Sequence, residues 1–515
     1  MFETLVSLSG LSALLTLIGI LVVAFAFYTH GMSFSNSSGL VIFDRGGLNH
    51  RESMDASKDS SAWKNLDIST RTPVIYCLFM ACFWLLIGSI AGLIASIKLH
   101  EPDFLISEAA LTFGRMRTFH LNAVAYGWLS LGVIGIATWL MPRLVHAPIP
   151  FSRLIFFGGL SWNVALTFGL ASILLGYSEG VEWLEFPFWV DLIIALSGAL
   201  IAVPVLISII RSKVRHLYVS VWYILASLLW FPILFFIGNL PHIHEGVEHA
   251  LVNWWFAHNV LGLWFTPMSI GIAYYIIPKI IGRPIYSYNL SFLGFWTLAI
   301  FYSNVGVHHL IGGPVPQYVV TISIVMSMMM LIPVISVAIN HHMTAFRHLG
   351  AVRDMLPLRF VVMGAMMYTL ASVQGSLHSL RALSRITHFT HYTVSHAHLG
   401  AYGFASFILF GACYFVIPKV LQTNWPYRRL ISLHFWLALI GIAIYVIFLG
   451  IGGWLQGVKM LDANASFMES VLVTIPYLKA RSFGGLLLTI GHMVFMIHFI
   501  LILKRFVDKK KGKSS

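Results

Sequence analysis

Long, nearly uncharged apolar runs recur along the whole of this 515-residue chain. A helix needs about 20 mostly apolar residues to cross the hydrocarbon core of a bilayer. Thirteen stretches meet that requirement: 4–28, 72–97, 118–141, 152–177, 189–210, 217–239, 252–280, 288–310, 316–340, 358–380, 393–418, 428–453 and 482–505. Backbone polar groups must be satisfied within lipid, and the runs are too long for barrel strands. The sequence therefore predicts an all-α, polytopic transmembrane helix bundle.

The charge content leads to the same conclusion. Charged residues make up 10% of the chain, against about 25% in a typical soluble protein, so a large water-facing surface is excluded. The net charge of +13 arises from cations in short loops and in a Lys-rich C-terminus. That distribution is typical of loops anchored at a membrane and attracted to anionic membrane lipid, and we expect no nucleic-acid binding.

Polar and apolar stretches divide the chain into four segments. They are an extra N-terminal transmembrane helix at 1–29, a polar loop segment at 30–71, a twelve-helix core at 72–505 and a basic tail at 506–515. Loop cations fall on one face of the bundle and most acidic residues on the other, so the positive-inside rule makes the polar loop and the tail cytoplasmic. The first run is interpreted as a retained span, because no cleavage site follows it.

Six histidines lie near the non-cytoplasmic ends of predicted spans. Ionisable side chains within a membrane are costly and usually functional, and imidazole is the commonest ligand for iron and copper. A lone intramembrane histidine is more often a hydrogen-bonded core residue, but these six agree in depth and number. They are His120, His258, His308, His309, His396 and His398.

The spacing of these histidines predicts how they divide between sites. A separation of two residues rotates a helix by about 200°, so His396 and His398 point to nearly opposite sides and can serve two separate centres. His308 and His309 are adjacent at a helix end and can share one ion with His258.

Five segments carry a resemblance to a known family. They are 114–120 (GRMRTFH), 254–259 (WWFAHN), 278–288 (PKIIGRPIYSY), 307–310 (VHHL) and 388–398 (HFTHYTVSHAH). The chain resembles subunit I of the heme–copper oxygen reductases, specifically the C-type (cbb-type) cytochrome c oxidases. The resemblance covers about 72–505 and implies a heme–copper oxidase catalytic core preceded by one additional helix.

The resemblance implies a role for each of the six histidines. His120 and His398 become the axial ligands of a low-spin heme b, and His396 becomes the single axial ligand of a high-spin heme b. The copper ligands are His258, His308 and His309.

Tyr302 is the residue that identifies the class. It lies seven residues before His309, which places both side chains on one helix face. In C-type enzymes, a tyrosine at this position is cross-linked to a copper-ligating histidine and supplies an electron and a proton when the dioxygen bond breaks. Other classes place that tyrosine four residues after the first copper histidine, where this chain has Gly262. By itself, a tyrosine in this setting is more often a packing residue.

Other positions both match and depart from the family pattern. Tyr274 and Ser291 match a proton path that ends at Tyr302. Gln374 replaces a glutamate expected near the copper, and Gly294 stands where a histidine is expected. Glu182 and Glu185 match an acidic outer loop that contributes to calcium binding near the heme propionates, although an exposed acidic loop explains them equally well.

The resemblance implies a cytochrome c oxidase, a translocase-type oxidoreductase of the bacterial inner membrane with its metal sites toward the periplasm. The chain has three cysteines and no CxxCH motif, so a c-type cytochrome that donates electrons must be a partner subunit of a hetero-oligomeric complex. Two alternatives stay open: a related nitric oxide reductase with non-heme iron in place of copper, and a non-redox heme-binding transporter. Tyr302 favours dioxygen as the substrate.

Overall fold

The computed structural model describes residues 52–240 and 244–512. Within these ranges the chain is helical, without strands, and twelve helices are long and apolar enough to cross a membrane. In chain order they are α1 (Glu52–Lys98, apolar over Asn65–Lys98), α2 (Phe113–Leu144), α3 (Ser152–Leu175), α4 (Phe188–Ile210), α5 (Val219–Gly238), α6 (Val247–Ile281), α7 (Tyr288–Leu310), α8 (Gln317–Phe346), α9 (Leu356–His378), α10 (His391–Leu421), α11 (Arg429–Leu461) and α12 (Phe467–Lys510). The predicted all-α transmembrane bundle is confirmed, and the predicted span at 4–28 lies outside the described residues.

Two ion pairs mark the opposite ends of the bundle. Asp67 near the start of α1 pairs with Arg143 at the end of α2. Glu101, just beyond the end of α1, pairs with Lys479 near the start of α12 at 3.1 Å. The end of the bundle that holds Asp67 and the Lys-rich C-terminus is called the basic face below, and the end that holds Glu101 is called the acidic face.

The prediction of a loop over 30–71 is wrong for its second half, because α1 begins at Glu52. Hydropathy is low there because of charged residues, but the structure buries some of them in specific contacts. Asp67 is 4% exposed and accepts a hydrogen bond from Trp139 Nε1 at 2.7 Å, in addition to its ion pair with Arg143. A buried carboxylate that is paired in this way is compatible with a helix end inside the protein.

The last span is also longer than the predicted 482–505. It includes Lys479 and Arg481, whose charges end the apolar run in the sequence. Arg481 is nonetheless 4% exposed, donates to Ser96 Oγ at 2.9 Å and lies over the ring of Tyr445. Contacts with α1 and α11 therefore stabilise the buried charge of Arg481, which the local sequence pattern does not predict to lie in a helix.

Glycine allows α11 to pack against the start of α10. A β-carbon at Gly453 would overlap the backbone of His391 and Tyr392. Such close backbone approach is typical of small residues between membrane helices. This contact fixes the position of the first turn of α10, which precedes His396 and His398.

Three helices change to a π-helical turn directly after a histidine of interest. The turns span Ala123–Ser130 in α2, Val260–Phe265 in α6 and Leu399–Ser406 in α10. They follow His120 by three residues, His258 by two and His398 by one. A π-helical turn accommodates an extra residue and is frequent at functional sites, so each helix changes its register where it passes the histidines.

Two short helices connect the spans, Leu349–Asp354 after α8 and Arg381–Thr387 after α9, and a single 3₁₀ turn, Ala109–Leu111, precedes α2.

Candidate metal centre

His120 and His398 face each other between α2 and α10. Their ring centroids are 6.1 Å apart, and the two planes differ by 7°. His120 Nδ1 lies 2.8 Å from the carbonyl oxygen of Gly88, and His398 Nδ1 lies 2.9 Å from that of Val394. A carbonyl oxygen only accepts, so each Nδ1 carries the proton and each Nε2 keeps its lone pair. This is the tautomer that a histidine needs in order to bind a metal through Nε2.

His396 points away from that pair, as its spacing from His398 predicts. The ring of His396 contacts Gln374 of α9, with Nδ1 donating to Oε1 at 3.2 Å, whereas His398 packs on Tyr445 of α11. Its Nε2 is therefore also left with a lone pair. Gln374 is thus a hydrogen-bond partner of His396, and its expected place near the copper ligands stays a prediction. His378 lies beside the same ring, with centroids 5.8 Å apart.

His258, His308 and His309 form a compact three-histidine cluster between α6 and the end of α7. Their potential ligand atoms all lie within 4.8 Å of one another. Across the described part of the chain, this is the one group of three or more potential ligands found, and it contains no carboxylate. Three neutral imidazoles converging in this way suit a transition-metal ion such as copper.

The surroundings of the cluster orient its rings. Ser327 donates its hydroxyl proton to the carbonyl oxygen of Ser323, so it accepts from His308 Nδ1 at 2.9 Å and leaves Nε2 of that ring free. The indole of Trp254 stacks on His309 with centroids 4.4 Å apart. Nδ1 of His258 is buried and has no hydrogen-bond partner among the described residues. Buried polar atoms rarely lack partners, and a metal ion would satisfy this one.

Tyr302 lies against the cluster in a space that glycine leaves open. Its ring centroid is 5.1 Å from that of His258. A β-carbon at position 262 would overlap the Tyr302 ring at Cε1 and Cζ. Only glycine at position 262 lets the tyrosine ring reach this position, one turn after His258 on α6. Gly262 and Tyr302, which the sequence analysis singled out, are thus in direct contact.

Tyr274 and Ser291 are joined by a residue that the sequence analysis missed. Asn340 of α8 donates to Tyr274 Oη at 3.1 Å and to Ser291 Oγ at 3.0 Å. An asparagine within an apolar run was an available signal, since intramembrane polar residues are usually functional. Among the described residues, Tyr302 is not hydrogen-bonded to any of these three side chains.

Gly294 lies beside a tyrosine from another helix, Tyr223 of α5. A β-carbon at Gly294 would lie 3.5 Å from the hydroxyl oxygen of Tyr223. Tyr223 stacks on Tyr274 with centroids 5.8 Å apart, and its buried hydroxyl has no partner among the described residues. A hydroxyl group from α5 therefore comes close to the position where the family has a histidine.

Glu182 and Glu185 lie at the acidic face with different partners. Glu182 pairs with Arg117 at 2.5 Å, whereas Glu185 accepts from Asn122 Nδ2 at 2.9 Å. Burial raises the pKa of Glu185 to about 7. The nearby Asp191, which the sequence analysis did not assign to a site, is fully buried and neither carboxylate oxygen has a partner among the described residues. The calcium site predicted for this region stays a prediction.

A twelve-helix membrane bundle with a facing histidine pair, a third histidine on the same helix and a three-histidine cluster defines a subunit I of the heme–copper oxidase class. The model of the family described as cytochrome c and quinol oxidase polypeptide I matches residues 72–487, and the chain belongs to that family. The resemblance inferred from the sequence is thereby confirmed, and the protein is an oxidoreductase.

Individual relatives agree with this assignment. The chain is 30% identical over 439 residues to the cytochrome c oxidase subunit 1 homolog of Agrobacterium tumefaciens, covering 82% of this chain and 81% of that one. It is 29% identical over 431 residues to the cbb3-type cytochrome c oxidase subunit CcoN1 of Stutzerimonas stutzeri, covering 81% and 91%. A heme–copper terminal oxidase dimer solved by cryo-EM shares the fold, with a TM-score of 0.67, 14% identity and 84% of both chains covered.

Proposed function

We propose that this chain is the catalytic subunit of a respiratory terminal oxidase that reduces dioxygen to water at a high-spin heme b and copper centre. Electrons would come from a membrane-anchored c-type cytochrome subunit, and a low-spin heme b held by this chain would supply their transfer to that centre. The observation that carries the proposal is the contact of Tyr302 with His258 across Gly262, beside a cluster of three histidines.

The histidines divide between three groups. His120 and His398 hold the low-spin heme b, and their hydrogen bonds to backbone carbonyls support this, since both leave Nε2 for iron. His396 holds the high-spin heme b. His258, His308 and His309 hold the copper. Iron and copper, when bound, supply the electron transfer and the dioxygen chemistry, while the protein orients the ligands and delivers protons.

Tyr302 provides the proton nearest to the reacting centre. Its hydroxyl group lies on a partly buried ring that packs against His258 and Gly262. Protons that replace the one it gives come from the basic face through Ser291, Asn340 and Tyr274. The phenol of Tyr368 is close enough to both Tyr274 and Tyr302 for direct electrostatic interaction, which supports its place between them.

The surroundings follow from the same proposal. The basic face is cytoplasmic and the acidic face periplasmic in a bacterial inner membrane, where the c-type cytochrome subunit of a hetero-oligomeric complex docks near the low-spin heme. Turnover is coupled to proton translocation. Calcium binds beside the heme propionates with Glu185 as a ligand.

Metal analysis of the purified complex tests the central proposal. We expect one copper and two hemes b per copy of this chain, with copper lost selectively from His308→Ala. Non-heme iron in place of copper would identify the related nitric oxide reductase. A complex that holds heme but no additional metal and has no redox turnover would indicate the non-redox heme-binding transporter.

Replacement of Tyr302 by Phe tests the role of the hydroxyl. The ring volume is almost unchanged, so both hemes and copper should be retained while dioxygen consumption is lost. Tyr76→Phe is the control. The hydroxyl of Tyr76 accepts a hydrogen bond from Asn163, which is not a proposed ligand. Full oxygen turnover in Tyr302→Phe would return this residue to a packing role.

A further inference from the structure

Three of the helices that carry candidate metal ligands share a nine-residue pattern at their basic-face ends. Each pattern has glycine first, an aromatic residue fifth, proline eighth and a cation ninth. The matching segments are 135–143 of α2 (GIATWLMPR), 271–279 of α6 (GIAYYIIPK) and 411–419 of α10 (GACYFVIPK). Four shared positions in each of three segments indicate an internal repeat rather than three unrelated helix ends.

The repeated segments meet in the middle of the bundle. Each of these helix segments contacts both of the others. Their parent helices are the three most buried of the twelve described membrane-spanning helices. The ring of Trp139 in α2 makes T-shaped contacts with Tyr275 of α6 and Phe415 of α10, with centroids 6.0 and 6.1 Å apart. The aromatic residues of the repeat therefore form one shared layer, about one helical turn before the cations.

The proline of the repeat determines which other side chains hold the helix ends. It has no N–H, so it leaves the carbonyl oxygen four residues earlier without its helical partner. In α6 this carbonyl belongs to Tyr274 and accepts from the hydroxyl of Tyr218 at 2.8 Å. In α10 it belongs to Tyr414 and accepts from Trp425 Nε1 at 2.9 Å. Side chains from outside the repeat thus fix two of the three helix ends.

The cations of the repeat come together beyond the aromatic layer. Arg143 and Lys419 each lie over the aromatic ring of their own repeat, 4.4 and 4.7 Å from its centroid. Asp67 accepts from Nε of Arg143 at 3.2 Å and from Nη2 at 2.6 Å. Lys419 is within electrostatic range of Arg143, and Lys279 is within electrostatic range of both. The two lysines are exposed, so the group is open to water at the basic face.

A simpler explanation accounts for a cation at each helix end but not for their convergence. Cations stabilise helix C-termini and are enriched in the cytoplasmic loops of membrane proteins. Neither effect brings three cations together, and like charges at short range repel one another. Arg347, just after α8, lies over the ring of Tyr286 instead. An anion bound between Arg143, Lys279 and Lys419 would offset the repulsion.

We propose that Arg143, Lys279 and Lys419 form a binding site for the phosphate group of a water-soluble ligand, either free phosphate or a phosphomonoester. Such a group presents at least three terminal oxygens, and the repeat supplies one cation from each of three helices. Arginine and lysine bind phosphate through charge-assisted hydrogen bonds. Lipid headgroups carry the same group and bind to basic pockets between membrane helices. The deep burial of α2, α6 and α10 places this site away from the lipid boundary.

The site lies at the opposite end of these helices from the candidate metal centre. Arg143 follows His120 by 23 residues, and Lys419 follows His398 by 21. At 1.5 Å per residue, this separation is about 30 Å along the helix axis. Substitution of the lysines should therefore leave the metal ligands in place. Phosphate binding can be measured whether or not the proposed oxidase function holds.

Binding of radiolabelled inorganic phosphate to the purified complex in detergent tests the site. We expect saturable binding of one phosphate per copy of this chain. The double variant Lys279→Gln with Lys419→Gln should bind about 100-fold more weakly, because each hydrogen bond to a charged group is worth about tenfold or more. The matched control is Lys213→Gln with Lys504→Gln. It removes two exposed charges elsewhere and should leave the affinity unchanged.

Asp67→Asn provides a test of opposite sign. Asparagine keeps an oxygen that can accept from Trp139, but it removes the carboxylate that competes with phosphate for Arg143. Loss of this nearby negative charge should raise the affinity for phosphate about tenfold. A cluster that serves only to stabilise the helix ends predicts no such increase. Weaker binding in Asp67→Asn would overturn the site.

Three results of the lysine experiment would also overturn the proposal. Equal loss of binding in the two double variants would show a non-specific response to surface charge. Unchanged binding in Lys279→Gln with Lys419→Gln would exclude these residues. Phospholipid that copurifies with the unmodified complex, is lost from that variant and blocks phosphate until removed would assign the cluster to a lipid headgroup. If the double variant does not assemble, Lys419→Gln alone decides, with an expected loss of about tenfold.

Discussion

The imidazole rings of His120 and His398 are parallel within 7° although they come from helices far apart in the sequence, with centroids 6.1 Å apart. Each ring is fixed by a backbone carbonyl, His120 by one on α1 and His398 by one on its own helix. The two nitrogens available for iron are therefore set by backbone positions that do not depend on the cofactor.

Removing either ring should abolish the low-spin heme signal. In His398→Ala or His120→Ala, one axial position is lost, so we expect the bis-histidine absorption and electron paramagnetic resonance features to disappear while the chain still inserts. His258→Ala is the comparison, and should lose copper while keeping the low-spin heme. A persistent bis-histidine signal in both of the first variants would contradict the assignment.

Gly262→Ala should disrupt the copper site without touching a ligand. The added methyl group must displace the Tyr302 ring, and overpacking of this kind costs about 1–3 kcal/mol or more. We expect a lower melting temperature, reduced copper content and loss of oxygen turnover. Gly114→Ala is the matched control, because a β-carbon there meets nothing within 4 Å. Equal behaviour of the two variants would show that the ring can move aside freely.

Gln374→Glu should lower the midpoint potential of the high-spin heme. A carboxylate in place of the amide turns the 3.2 Å contact with His396 Nδ1 into a charge-assisted hydrogen bond, which is roughly twice as strong as a neutral one. The imidazole then donates more electron density to iron and stabilises its oxidised form. Redox titration and the iron–histidine stretching frequency measure this change. Gln456→Glu, at a glutamine that bonds the backbone of His391, controls for added charge near α10.

The buried carboxyl group of Glu185 should make the protein less stable as the pH rises. Its pKa is about 7 in the folded state against an ordinary 4.5, so the folded state holds the proton more tightly than the unfolded state. Stability is highest below pH 4.5, falls between 4.5 and 7, and the full loss of up to about 3 kcal/mol applies above 7.

Thermal melting at different pH values in chelator checks the Glu185 prediction. Glu185→Gln should remove most of the decline. Added calcium should raise the melting temperature above pH 7 in the unmodified protein and not in this variant. An identical pH dependence in the two proteins would refute the prediction.

The spans and the histidines were predictable from the sequence for physical reasons. Apolar runs of about 20 residues have few alternatives to a membrane helix, and an intramembrane histidine carries a cost that makes it conspicuous. The opposed directions of His396 and His398 followed from helix geometry alone, and their contacts with Gln374 and Tyr445 agree with it.

What escaped prediction depends on contacts between distant segments. The start of α1 was misjudged because Asp67 has a partner, Arg143, that only the folded chain brings near. The hydrogen bond of Gln374 to His396 joins α9 to α10, and no local pattern predicts it. Asn340 joins Tyr274 and Ser291 from a third helix, and no local pattern indicates such a link.

The overlap between position 262 and the ring of Tyr302 restricts how such sites can evolve. In other oxidase classes, a tyrosine occupies the position that corresponds to Gly262, but here two aromatic rings cannot occupy that space together. A lineage that acquires the second tyrosine before losing the first would have to rearrange the surrounding helices. With the helices placed as they are here, Tyr302 must therefore be lost before, or together with, the gain of an aromatic side chain at position 262.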